Sequence, residues 1–169
     1  MTETIKPAEL DWTGEGPVSR VFGDVYFSAE GGLEETRAVF LGGCGLPEIW
    51  SGRSRFVVAE TGFGTGLNIM ATLDLWRRTR EPGARLHVFS VEAHPLLRAD
   101  AARAHAAWPE LAGISEALLD QWPRPTPGFH RIDLPDWNAT LDIGHGDAAE
   151  MLQGWQGRAD AWFLDGFAP

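Results

Sequence analysis

One cysteine in 169 residues excludes an internal disulfide and a cysteine metal cluster. Cys44 sits in the turn-like stretch Leu41-Gly42-Gly43-Cys44-Gly45-Leu46 with no histidine beside it, which argues against a catalytic thiol. Long apolar runs are missing as well. The longest, such as Phe56 to Ala59, have strand length rather than the roughly 18 to 20 residues of a membrane-spanning helix, so no membrane span is expected. The opening Met1-Thr2-Glu3-Thr4-Ile5-Lys6-Pro7 lacks the basic-then-apolar order of a secretory signal, and a cytoplasmic location is expected. No two histidines stand at metal-ligand spacing: His87 lies in a strand, His94 and His105 are eleven residues apart, and His130 and His145 stand alone. No metal is expected.

Positive charge is scarce, with 14 Lys and Arg against 24 Asp and Glu and a net charge of −10. That argues against strong nonspecific adhesion to nucleic acid, which is driven mainly by phosphate contacts from basic side chains. The imbalance is uneven: residues 1–50 sum to −6, residues 51–110 to +2 and residues 111–169 to −6. The middle third includes Arg77-Arg78-Thr79-Arg80, either a local basic face or a solvated helix C-terminus whose cations meet the helix dipole.

What is present is the make-up of a folded globular chain, 44% apolar and 22% charged. No internal repeat or linker interrupts it. Residues 1–50 read as an N-terminal arm with short strands around Gly14 to Phe27 and a helix over Leu33 to Leu41. Residues 51–169 alternate short apolar runs with helical patterns. Strands are predicted at Arg55 to Glu60, Leu86 to Val91, Phe129 to Leu134, Thr140 to Ile143 and Ala161 to Leu164. Helices are predicted from Leu67 through Trp76, from His94-Pro95 to about Ala107, over Leu111 to Gln121 and over Ala148 to Gln153. This order implies an α/β fold, a mainly parallel Rossmann-like sheet with helices on both faces. Most of the eight tryptophans lie in or beside apolar elements and read as core or cap packing.

Three of the predicted strands end in an acid, Glu60, Glu92 and Asp165, and Asp147 closely follows a fourth. Ligands of such sheets bind outside the carboxyl ends of the strands. Unpaired carboxylates there are costly, so a row of them points to a polar ligand. Between the first strand and its helix runs Glu60-Thr61-Gly62-Phe63-Gly64-Thr65-Gly66. Its alternate glycines remove the Cβ atoms that would hold a ligand off the backbone. A dinucleotide-binding G-x-G-x-x-G turn would place its third glycine at Leu67, and Gly66 falls one residue early.

The acidic-x-G-x-G-x-G form resembles motif I of the class I S-adenosylmethionine-dependent methyltransferases. That resemblance implies that Glu92 accepts hydrogen bonds from the ribose hydroxyls and that Glu60 holds the ammonium group directly or through water. It implies further that Gly62, Gly64 and Gly66 admit the methionine part and ribose, with Phe63 and Asn68 of the same motif among the cofactor-binding positions. Asp147 is either an acceptor for the adenine amine or the N-cap of the helix after it. Asp165 and Phe167, in Asp165-Gly166-Phe167-Ala168-Pro169, are the reaction-side candidates. Asp165 would orient a target amine and Phe167 would stack on a planar base, or both serve an ordinary strand-end turn.

The similarity is wider than one motif. Gly16 to Arg20, Asp24 to Ser28, Gly32 to Arg37, Val39 to Gly43, Glu60 to Asn68, Trp108 to Leu111 and Trp162 to Pro169 resemble the methyltransferase-domain family of MnmC, essentially along the whole chain. The resemblance implies methyl transfer from S-adenosylmethionine to the aminomethyl nitrogen of a tRNA wobble uridine. It also implies an FAD-dependent oxidoreductase domain that follows in bifunctional members and has no residue here. Family members continue past the D-G-F-A-P segment with further strands, so residues 51–169 are expected to form a partial domain, lacking C-terminal strands and weak or inactive alone. The alternatives are a nucleotide-dependent oxidoreductase on the same sheet and an inactive cofactor-binding fragment.

Overall fold

Six of the seven residues of Arg55–Thr61 are buried, as are five of the eight in Arg85–Glu92, so both strands need cover on each face. The computed structural model, which describes residues 5–14, 16–26 and 31–165, gives them two adjacent interior places of a five-stranded sheet. In chain order the strands are β1 (Leu10–Thr13), β2 (Gly16–Ser19), β3 (Arg55–Thr61), β4 (Arg85–Glu92), β5 (Gly128–Leu134), β6 (Ala139–His145) and β7 (Ala161–Leu164). The helices are α1 (Gly32–Thr36), α2 (Leu67–Thr79), α3 (Arg98–His105), α4 (Ala112–Leu119) and α5 (Ala148–Gly154). The main sheet has the order β5-β6-β4-β3-β7, and β1 with β2 makes a separate two-stranded ribbon.

Four neighbouring strands, β6, β4, β3 and β7, run parallel, while β5 pairs antiparallel with β6 at the edge. The connection explains the difference. Only Pro135–Trp137, one helical turn, and Asn138 at φ 50° separate β5 from β6. That length closes a hairpin, whereas a parallel crossover needs a dozen residues or more. The expected mainly parallel α/β sheet is thus present with one antiparallel edge.

One face of the sheet carries the larger core. Phe56, Val58, Leu86, Val88, Leu141 and Ile143 meet Ile69, Met70, Leu73 and Trp76 of α2 and Leu111, Ile114 and Leu118 beside or in α4. Trp50 stands edge-on to both Trp76 and Phe56, at 5.1 and 5.6 Å between ring centres. Its indole N–H donates to Thr79, and that of Trp76 to the Trp137 carbonyl. Burying side chains of this size contributes about 1.5–3 kcal/mol each. The arm joins the same core through Leu33, Leu41 and Leu46. The other face is covered by α5, with Phe89 stacked parallel on Trp155 at 4.4 Å.

Two predicted helices change shape. The Leu33 to Leu41 helix is α-helical only through Thr36 and continues as a wider π-helical turn, Arg37–Gly42. That turn buries Leu41 while setting Phe40 against Phe163. The helix expected from His94-Pro95 begins at Arg98, because Leu96 enters the core and its carbonyl accepts from the Trp122 indole. The arginines at the end of α2 behave as a helix C-terminus. Arg78 pairs with Asp74 one turn back, and Arg77 lies over the Trp137 ring. No helix of the described residues is long and apolar enough to cross a membrane.

Candidate functional site

Because β3, β4, β6 and β7 run parallel, their carboxyl ends share one edge of the sheet, and the glycine turn bends over it between β3 and α2. Gly62, Gly64 and Gly66 have φ of 84°, 54° and 81°, a region side chains with a Cβ enter only under strain. The amides of Gly62 and Phe63 both donate to the Val91 carbonyl at 3.0 Å, which binds the turn to β4. A Cβ on Gly66 would come within 2.9 Å of the Phe63 ring, and one on Gly64 within 3.4 Å of Tyr26. Phe63 was expected among the ligand contacts. Its ring packs beneath the turn against Trp122, 5% exposed, and its amide is taken by the Val91 carbonyl.

Glu92 closes the other side. Its Oε2 accepts from the Gly64 amide at 2.8 Å and its Oε1 from the His94 amide at 2.9 Å. A carboxylate offers about four acceptor positions, so the two backbone bonds fix the group and still leave lone pairs for a diol. The Glu92 carbonyl accepts from Gly146, which draws in the end of β6. Asp147 then caps α5, its Oδ1 accepting from the Ala149 and Glu150 amides at 3.0 and 3.1 Å. The capping geometry foreseen for this residue is therefore present.

Glu60 lies underneath, 1% exposed. Its two oxygens accept from Asn68 Nδ2 at 3.0 Å and Ser90 Oγ at 2.8 Å. Burial pushes its pKa up to about 8; those two bonds pull it down, and the charges of Asp165 and Glu92 push it up. Near pH 7 it is mostly a neutral acid. Asn68 is spent on the same network. Its Nδ2 also donates to Asp165 Oδ2 at 3.1 Å, and its Oδ1 accepts from Thr36 Oγ1 at 3.0 Å. Thr61 Oγ1 donates to the Asp165 carbonyl at 2.8 Å, so the exposed Asp165 carboxylate is held at the carboxyl edge of the sheet. Phe167 lies outside the described residues.

Several site residues were not singled out from sequence. Tyr26 packs over Gly64, its hydroxyl pKa pushed up to about 12 by burial and then by the Glu92 charge. Ser90 holds Glu60, and a lone hydroxyl within an apolar strand was a usable signal. His105 supports the turn from behind: Nε2 lies 2.7 Å from the Thr65 carbonyl and Nδ1 2.8 Å from Ser115 Oγ. Burial lowers its pKa, with the Thr65 bond opposing, so the neutral ring keeps its proton on Nε2 and accepts from Ser115. A hollow of about 470 Å³ between α3 and α4 reaches His105 and Ser115, but Glu92 and Asp165 do not line it.

The arrangement brings a bare backbone cradle, an anchored carboxylate and a buried acid together at the carboxyl edge of the sheet. It suits a ligand with a diol and positive charge. Among the described residues no group of three or more His, Cys, Asp or Glu is placed to hold a metal.

Comparison with known proteins agrees. A model of the S-adenosyl-L-methionine-dependent methyltransferase family matches residues 109–169. The tRNA 5-methylaminomethyl-2-thiouridine biosynthesis bifunctional protein MnmC of Caulobacter vibrioides is 59% identical over 170 residues, covering 100% of this chain and 29% of that protein. The protein of the same name from Thiobacillus denitrificans is 52% identical over 169 residues, covering 100% and 27%. The chain thus spans less than a third of these relatives' length. The crystal structure of MNMC2 from Aquifex aeolicus superposes with a TM-score of 0.68 at 24% identity, over 97% of this chain and 50% of that one. It supports the Rossmann-like fold.

Proposed function

We propose that the chain is a member of the S-adenosyl-L-methionine-dependent methyltransferase family of these MnmC relatives and that it binds S-adenosylmethionine at this edge of the sheet for methyl transfer to the aminomethyl nitrogen of a tRNA wobble uridine. The observation that carries the reading is the bond from the Gly64 amide to Glu92, which makes the glycine turn and the carboxylate one site.

The residues fit the cofactor. Glu92 keeps acceptor positions for two ribose hydroxyls, and Gly62, Gly64 and Gly66 leave room for close approach to the backbone. Asp147 serves the adenine side with what its capping bonds leave free. Glu60, too buried for open contact, supplies its influence from beneath, and a cationic ligand above it favours its ionised form. When bound, the cofactor supplies an electrophilic methyl group on a sulfonium. Asp165, exposed at the end of β7, accepts the amine hydrogens and aims the nitrogen lone pair, which lowers the barrier by orientation. Phe167 would stack on the base.

The tRNA assignment rests on the names of the relatives, which are called bifunctional, and the FAD-dependent oxidoreductase domain that the sequence resemblance implies would lie outside this chain. The test is transfer of labelled methyl from S-adenosylmethionine to tRNA that carries the 5-aminomethyl group, with tRNA lacking it as control. Labelling of the first alone supports the reading. Tight binding of NAD with none of S-adenosylmethionine would replace it by the oxidoreductase alternative.

A further inference from the structure

We propose that Thr36 and Asn68 are positioning residues of the transfer centre: the Thr36 hydroxyl fixes the Asn68 amide, which aims the Asp165 carboxylate. The inference rests on reading Asp165 as the reaction-side acid. The Gly32 to Arg37 segment gives the sheet its Leu33 packing, but packing does not call for the hydroxyl of Thr36, which is 5% exposed and directed at Asn68, 7% exposed.

The chemistry of the amide makes the link directional. Asn68 Nδ2 has two hydrogens, and they go to Glu60 Oε1 and Asp165 Oδ2 at 3.0 and 3.1 Å. Its oxygen takes the Thr36 hydroxyl at 3.0 Å. A flipped amide would turn its oxygen toward the Asp165 carboxylate, two acceptors face to face, and would leave both carboxyl groups without their donor. The two carboxyl groups thus select the orientation in which Asp165 is held, and the Thr36 hydroxyl, donating to Oδ1, anchors the amide in it. Asn68 itself sits in the first turn of α2, and Thr72 donates to its backbone carbonyl at 2.7 Å, so the side chain projects from a fixed base. The arm is thereby wired to the carboxyl edge of the sheet through two buried polar groups. The Asn68 amide has no hydrogen left for a ligand.

The test replaces the hydroxyl and keeps the shape. Thr36→Val is nearly isosteric, and Thr36→Ser restores the donor. In nitrogen-resolved NMR of the labelled chain, the Asn68 side-chain amide hydrogens are expected to exchange slowly with solvent. Exchange should be roughly tenfold or more faster in Thr36→Val and slow again in Thr36→Ser. Methyl transfer should fall by roughly two- to tenfold in Thr36→Val, the size of one hydrogen bond, and recover in Thr36→Ser. The Kd for S-adenosylhomocysteine should stay within about twofold in both, since one hydrogen bond lost at a distance from the ligand is not felt there. Unchanged amide exchange in folded Thr36→Val overturns the proposal, as does a loss of transfer that serine fails to rescue. Full transfer by Asp165→Asn would instead overturn the reading of Asp165, while the amide exchange data would still report on Thr36 and Asn68.

Discussion

The Gly64 amide donates to the Glu92 carboxylate at 2.8 Å, across 28 residues of sequence. The bond joins a turn that has given up its side chains to an acid fixed at the end of the neighbouring strand. Neither part recognises a ligand alone. A bare backbone admits many groups, and a strand-end acid is ordinary, but the pair joins open backbone to a fixed acceptor.

Gly66 tests the turn. Alanine there would hold φ near 81° and press its Cβ to 2.9 Å from a Phe63 ring that is itself packed against Trp122. The left-handed conformation alone costs roughly 1–2 kcal/mol for a residue with a Cβ. Gly66→Ala is expected to lower stability by about that much or more in denaturant melts and to weaken cofactor binding. Unchanged stability would mean that the turn relaxes freely.

Glu60 gives the protein a pH signature. Its folded pKa is about 8, above the ordinary 4.5, so its contribution to stability is complete below about pH 4.5 and is lost as pH rises through 8. The buried His105 and His145 have lowered values and act in the opposite sense below their ordinary 6.5, which leaves the window from about pH 6.5 to 8 to Glu60. There the thermal midpoint should fall as pH rises, and Glu60→Gln should flatten the slope. A midpoint that is level across that window in the wild type would contradict the buried neutral acid.

Much of this was legible in the sequence, for physical reasons that differ by element. The β3–turn–α2 unit announced itself because a continuous apolar run, three spaced glycines and a three-residue apolar step leave one arrangement open. Asp147 was left between two roles, since a good N-cap and a ligand acceptor ask for the same side chain; the cap is seen directly. The start of α3 was misplaced by three residues because Pro95 looks like a first-turn proline, while burial of Leu96 decides the matter. His105 was not legible at all. Its partner Thr65 is 40 residues away, and no local pattern reports a bond of that range.

That histidine is open to a graded test. His105→Leu leaves the Thr65 carbonyl and the Ser115 hydroxyl without partners, and each such buried group costs about 1–3 kcal/mol. His105→Gln can still offer an N–H to Thr65. Leucine should therefore destabilise more than glutamine in urea melts, and equal losses would indicate that only ring packing counts.

Strand β7 predicts behaviour at high concentration. Among the described residues it pairs with β3 alone, and Leu164 is 75% exposed beside Trp162 at 41%. An apolar edge of this kind invites pairing with another chain. Leu164→Lys should reduce concentration-dependent association in sedimentation velocity and leave the melting midpoint nearly unchanged. Equal association would place the contact elsewhere.

The claim on which the rest depends is that Glu92 and the glycine turn together hold S-adenosylmethionine, and calorimetric titration of the wild type and Glu92→Ala tests it most directly. The expected result is saturable binding by the wild type and a loss of roughly ten- to a hundredfold in the variant, as hydrogen bonds to a charged group contribute about 1.5–3 kcal/mol. Equal affinity in a folded Glu92→Ala variant would contradict it.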